Sequence, residues 1–97
     1  MKAILVTITG RDTLPVQGVW YRESCKNAAE EAGVKGWIKN LSDGRVQAFF
    51  FGEEEQVDAM IGWCMNFHGR ATPLELDVED MDLDHLDSPP QDFVVIH

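Results

Sequence analysis

Five segments of the chain show the hydrophobic pattern of β-strands. In these segments apolar residues alternate with polar ones, or β-branched and aromatic residues cluster between turn-forming residues. The predicted strands cover residues 2–9, 34–40, 45–52, 74–79 and 93–96. The sequence Ser-Asp-Gly separates the second strand from the third, so these two strands are predicted to form a β-hairpin.

Two further segments show helical periodicity. Residues 21–32 are predicted to form the first helix, because apolar and small residues recur there at helical spacing and Gly33 follows at the expected left-handed C-cap. The second helix is predicted to begin at the glutamates of residues 53–55, whose charge favours a helix N-terminus, and to end at Gly69. Its apolar stripe consists of Val57, Met60, Ile61, Cys64 and Phe67.

The order of these elements is β-α-β-β-α-β with a short additional C-terminal strand. It predicts an α+β protein with the ferredoxin-like split βαβ sandwich, in which an antiparallel sheet carries two helices on one face. Residues 1–97 are predicted to form a single domain, because no linker divides them. In the third strand, Phe50 should lie on one face of the sheet, and Phe49 and Phe51 on the other. One of these faces should pack under the helices, and Trp37 or the terminal strand should cover the other.

The charge of the chain limits its partners. A formal net charge of -9 makes nucleic acid and anionic membranes poor partners. Residues 75–92 hold eight acidic residues and no Lys or Arg, so an anionic substrate is expected to dock in the first half of the chain. No signal-peptide core or spanning segment is evident, which favours a cytoplasmic protein, and Cys25 and Cys64 are expected to be reduced, buried thiols.

The segment most suggestive of chemistry is the glycine-containing loop Val16, Gln17, Gly18 and Val19, which lies just before the first helix. Backbone N–H groups at such a position can surround an anion. Arg22, in the first turn, opposes the helix dipole and can bind two phosphate oxygens, although it could instead be solvated or paired with Glu23 or Asp12. Asn40 ends the second strand, where it could orient a water molecule or simply help the chain to reverse.

Residues 16–22, followed by residues 36–46, resemble the paired signatures of the acylphosphatase family, and the similarity extends over the whole chain. The resemblance implies that Arg22 binds phosphate, that Asn40 positions the attacking water, and that the amides of Val16 to Val19 surround the phosphate. It also implies hydrolysis of acyl phosphates, which are carboxyl-phosphate mixed anhydrides, without a metal or an organic cofactor. The expected partner is therefore a small-molecule acyl phosphate, and we expect a monomer.

The chain departs from the family pattern near this loop. Residues 12–15 form a four-residue insertion between Gly10-Arg11 and the loop, and Trp20 is bulkier than the usual residue. The main alternative is therefore a noncatalytic module that binds phosphate or a phosphorylated ligand on the same fold. An RNA-binding sandwich would need a basic aromatic sheet face, whereas this chain is acidic and has few cations on its predicted strands. The three histidines do not have metal-site spacing: His68, His85 and His97.

Overall fold

A computed structural model describes residues 1–10, 21–65, 73–83 and 90–96 of the chain. The described residues form five strands and two helices. In chain order these are β1 (Lys2–Gly10), α1 (Tyr21–Ala32), β2 (Lys35–Asn40), β3 (Val46–Gly52), α2 (Glu54–Met65), β4 (Pro73–Asp80) and β5 (Phe93–Ile96). The predicted strands and helices are therefore all present, with boundaries that shift by one residue in most cases. The predicted end of α2 at Gly69 lies outside the described residues.

The strands form one sheet in the order β4-β1-β3-β2-β5. β3 lies between β1 and β2 and is antiparallel to both, so β1 and β2 run in the same direction on either side of it. This arrangement is the split βαβ unit, and it confirms the predicted ferredoxin-like fold.

The prediction of a wholly antiparallel sheet is wrong at β5, which pairs parallel to β2 and makes the sheet mixed. The reason lies in the direction of β4. Asp80, at the end of β4, pairs with Ile4 near the start of β1, and this is also the end of the sheet at which β2 begins. A strand that enters beside β2 from this end of the sheet must run in the same direction as β2.

The core lies between one face of the sheet and both helices, as predicted. Phe50 points into this layer and is fully buried, and its ring stacks on Phe93 of β5 at 5.8 Å between centroids. On the opposite face, Phe49 stacks with Trp37 at 6.1 Å, which confirms the predicted cover by Trp37. Among the described helix residues, those that are fully buried are Cys25, Ala29, Val57, Met60 and Cys64. Burial of each large apolar side chain contributes about 1.5–3 kcal/mol.

Backbone hydrogen bonds define the helix ends. At the end of α1, the N–H of Gly33 donates to the Glu30 carbonyl and the N–H of Val34 donates to the Ala29 carbonyl. Together with the positive φ of 78° at Gly33, these bonds form a Schellman motif and confirm the predicted C-cap. Neither helix in the described part of the chain is long and apolar enough to cross a membrane.

Strand β2 lies close to both of its neighbours because of Gly36. This residue has a φ of 138°, and a Cβ atom at this position would lie 1.8 Å from the carbonyl oxygen of Phe49 on β3. Its N–H donates to the carbonyl of Asp92, just before β5. Because Gly36 has no side chain, β2 can pack against β3 while the Gly36 backbone is hydrogen-bonded to the segment that leads into β5.

Candidate active site

The candidate site lies at the edge of the sheet where β2 and β5 end together. In the parallel pairing of these strands, Lys39 is the partner of Ile96, and Asn40 is the next residue of β2. The start of α1 approaches the same place, because Nη1 of Arg22 donates a hydrogen bond of 3.2 Å to the Ile96 carbonyl. Residues far apart in the sequence therefore converge at this edge.

A cavity of about 290 Å³ opens at this edge, and Arg22, Lys39, Asn40 and Ile96 line it. The structure thus brings together the two side chains predicted to act on a substrate, Arg22 and Asn40. Several other predicted features lie outside the described residues, so they stay predictions. These features are the loop of Val16 to Val19, the insertion at residues 12–15, Trp20, His68, His85 and His97.

Arg22 has few partners among the residues that the structure describes. It is half-buried, and within that part of the chain it forms no ion pair with a carboxylate. The neighbouring Glu23 is exposed and does not pair with it, while Asp12 lies outside the described residues. A guanidinium has five N–H donors, and the bond to Ile96 occupies one of them. The remaining donors could bind two oxygens of an anion in the cavity.

Asn40 carries a buried hydrogen-bond acceptor without a partner. Its Oδ1 atom is shielded from solvent and accepts no hydrogen bond from any residue that the structure describes. Leaving a buried acceptor unpaired costs about 1–3 kcal/mol, so such an atom indicates a missing donor. The chain reversal that follows does not use this side chain, because its backbone bonds join Leu41 to Arg45 and Gly44 to Leu41. The alternative role of Asn40 in the turn therefore has no support from these contacts.

Lys39 is a site residue that the sequence reasoning missed. Its Nζ atom lies 5.1 Å from the centroid of the Trp37 ring, and this cation–π contact restrains the ammonium group at the edge of the sheet. Of the four described residues that line the cavity, two are therefore cations, in a chain whose net charge is -9. The signal available in the sequence was the position of Lys39 directly before Asn40.

The chemistry of this arrangement favours an anion that reacts with water. The Arg22 cation favours a negatively charged ligand in the cavity, and Lys39 adds positive charge nearby. The amide of Asn40 can both accept and donate a hydrogen bond without ionising. Phosphoryl transfer depends mainly on such positioning and charge stabilisation. Within the described ranges, no group of three His, Cys, Asp or Glu side chains is placed to hold a metal ion.

Comparisons with known proteins agree with this geometry. The chain matches the family model described as Acylphosphatase over residues 5–95. It is 44% identical over 81 residues to an acylphosphatase of Methylococcus capsulatus, a match that covers 84% of each chain. The structure of an acylphosphatase from Coxiella burnetii is similar, with a TM-score of 0.82, 32% identity, and coverage of 98% of this chain and 92% of that one. A Bacillus subtilis acylphosphatase shares the fold, with a TM-score of 0.85 at 23% identity and complete coverage of both chains.

Proposed function

The chain belongs to the acylphosphatase family, and we propose that it hydrolyses acyl phosphates to a carboxylate and inorganic phosphate. The observation that carries this proposal is the cavity that both Arg22 and Asn40 line, together with the Oδ1 atom of Asn40, which has no hydrogen-bond partner among the described residues. One group suits a phosphate, and the other suits a water molecule. Each has binding capacity that its contacts within the described residues leave unused.

In this mechanism Arg22 holds the phosphoryl group. Its planar guanidinium binds two non-bridging oxygens, and its charge stabilises the oxygens as the transition state forms. The hydrogen bond to the Ile96 carbonyl fixes one side of the guanidinium, so less conformational entropy is lost when the phosphate binds. We further propose that the loop amides of Val16, Gln17, Gly18 and Val19 surround the same phosphate, as the family resemblance implies.

Asn40 positions the attacking water. Its Oδ1 accepts a hydrogen bond from that water, which directs an oxygen lone pair toward phosphorus on the side opposite the acyl oxygen. The new P–O bond forms as the bond to the acyl oxygen breaks, and the electron pair leaves with the carboxylate. A carboxylate is a good leaving group, so no strong base is needed. The proton of the water passes to a phosphate oxygen.

The direct test is hydrolysis of benzoyl phosphate in the presence of a chelator, with both benzoate and phosphate measured. We expect wild-type turnover well above the spontaneous rate, and a loss of at least about 100-fold in Arg22→Ala and in Asn40→Ala. Two exposed residues of the same types provide matched controls, Arg45→Ala in the turn after β2 and Asn27→Ala on α1. These controls should retain turnover within about twofold.

The same experiment separates the enzyme from a noncatalytic binding module. Each variant is first checked for folding by circular dichroism, so that lost activity is not confused with unfolding. If the folded wild type hydrolyses no faster than the uncatalysed reaction, while phosphate raises its melting temperature and fails to do so in Arg22→Ala, the module is correct and the enzyme proposal is wrong. Equal losses in the control variants would also contradict the assigned roles.

A further inference from the structure

The two cysteines of the chain meet in the core between the helices. Cys25 lies on α1 and Cys64 on α2, and both side chains are fully buried in the same hydrophobic cluster. The helices α1 and α2 pack against each other, and Cys64 is the neighbour that affects the Cys25 thiol most, so the two thiols are neighbours within this cluster. Neither cysteine has a part in the proposed hydrolysis, because neither lines the cavity beside Asn40.

We propose that Cys25 and Cys64 are a disulfide-forming pair that links α1 to α2 when the protein meets a low-molecular-weight disulfide such as oxidised glutathione. Disulfide geometry requires the two Cβ atoms to be close and to point toward each other. Cys25 and Cys64 lie on helices that already pack against each other and belong to the same buried cluster, so the bond can form by rotation of the two side chains. The cross-link would therefore preserve the packing of the two helices.

The reaction is a pair of thiol–disulfide exchanges. The thiolate of one cysteine attacks a sulfur of oxidised glutathione, which forms a mixed disulfide and releases one glutathione thiolate. The second cysteine thiolate then attacks the protein sulfur of that mixed disulfide and expels the second glutathione. The two protein sulfurs lose two electrons in total, the glutathione disulfide is reduced to two thiols, and the two protein protons end on those thiols.

Burial makes this oxidation slow and selective. The hydrogen bond with Cys64, together with burial, holds the pKa of the Cys25 thiol well above its usual range, so little thiolate is present at neutral pH. The reagent also has no direct access to side chains that are 0% exposed. Exchange must therefore pass through states in which the two helices separate, and it should be faster during refolding than in the native protein.

The bridge should stabilise the protein, because it closes a loop of about 40 residues in the unfolded chain. The test is to incubate the full chain with oxidised glutathione, both in its native state and during refolding from urea. In the refolded sample we expect a mass loss of about 2 Da, a linked peptide that contains Cys25 and Cys64, and a melting temperature higher by roughly 10 °C or more. A reducing agent should reverse all three changes.

The single variants Cys25→Ala and Cys64→Ala are the controls, since neither can form the internal bridge. They should show no mass loss of about 2 Da and no gain in melting temperature with the same reagent. The proposal is overturned if the refolded wild type carries only mixed disulfides, each adding about 305 Da, if it keeps both thiols, or if it forms dimers linked between chains. It is also overturned if the internal bridge forms but lowers the melting temperature, because the pair would then be strained.

Discussion

Two arginines near the same hairpin have opposite surroundings. Arg45, in the turn between β2 and β3, is exposed and pairs with Asp43 through Nε at 2.7 Å and Nη2 at 2.6 Å. Arg22, at the start of α1, donates to a backbone carbonyl and has no carboxylate partner among the described residues. An arginine whose charge is paired with a neighbouring carboxylate, such as Arg45, can stabilise a turn. An arginine that lines a cavity beside an amide with an unpaired oxygen, such as Arg22 beside Asn40, can bind a ligand. The partners of an arginine, more than its exposure, therefore indicate its role.

The largest expected difference between the two arginines concerns the shape of the guanidinium. Arg22→Lys keeps the positive charge but removes the planar guanidinium that can bind two phosphate oxygens at once. We therefore expect kcat/KM for an aromatic acyl phosphate to fall by about 100-fold. Arg45→Lys should change kcat/KM by less than about twofold, because its contacts stabilise a turn outside the cavity. Steady-state kinetics of the two folded variants measure both effects. Similar losses in the two variants would remove the distinction between these sites.

A second prediction concerns Gly44, in the same turn as Arg45. Its φ is 93°, and a Cβ atom there would meet no other atom within 4 Å, so the cost of Gly44→Ala comes from the backbone conformation alone. We expect the free energy of unfolding to fall by about 1–2 kcal/mol and kcat to stay within about twofold. Urea unfolding and kinetics of the same preparation measure the two quantities. A tenfold loss of kcat at unchanged stability would place the turn in the catalytic machinery.

A smaller effect is expected for the second cation of the cavity. Lys39→Gln should raise KM for the acyl phosphate by about threefold to fivefold at low salt, because a partly exposed charge contributes modestly to the binding of an anion. Lys35→Gln is the matched control, since Lys35 lies on the same strand, is exposed, and does not line this cavity. Added salt should reduce the difference between wild type and Lys39→Gln. An equal rise of KM in both variants would show only a general loss of positive charge.

Most of the fold could be predicted because it is encoded locally. Hydrophobic periodicity indicated both helices, Gly33 marked the end of α1, and the predicted last strand, Phe93–Ile96, matches β5 residue for residue. The parallel direction of β5 was not predictable in this way. It depends on the end of the sheet at which the chain leaves β4, which is a property of the whole topology rather than of any segment.

The site shows the same division between local and long-range information. The family prediction, which rested on motif residues, is confirmed by the match over residues 5–95, and Arg22 and Asn40 do line one cavity. Ile96 and Lys39 were missed because their convergence depends on the register between strands that are distant in the sequence. The unpaired Oδ1 of Asn40 was equally invisible, since burial of one atom depends on everything that packs around it.

The smallest expected effect concerns the ion pair between Arg45 and Asp43 in the turn after β2. The hydrogen bonds and charge of Arg45 hold the pKa of Asp43 below the ordinary value of 3.8. A carboxyl whose pKa is lower in the folded state contributes stability above its unfolded pKa, and that contribution is lost as the pH falls through the folded value. The stability advantage of wild type over Asp43→Asn should therefore be constant from about pH 7 to pH 5 and shrink below about pH 3.8.

Urea unfolding of both proteins across this range measures the difference, and an NMR titration of the Asp43 carboxyl checks its assignment. A difference that does not change with pH would mean that the ionised pair does not hold the turn, and Arg45 would then need another explanation for its position.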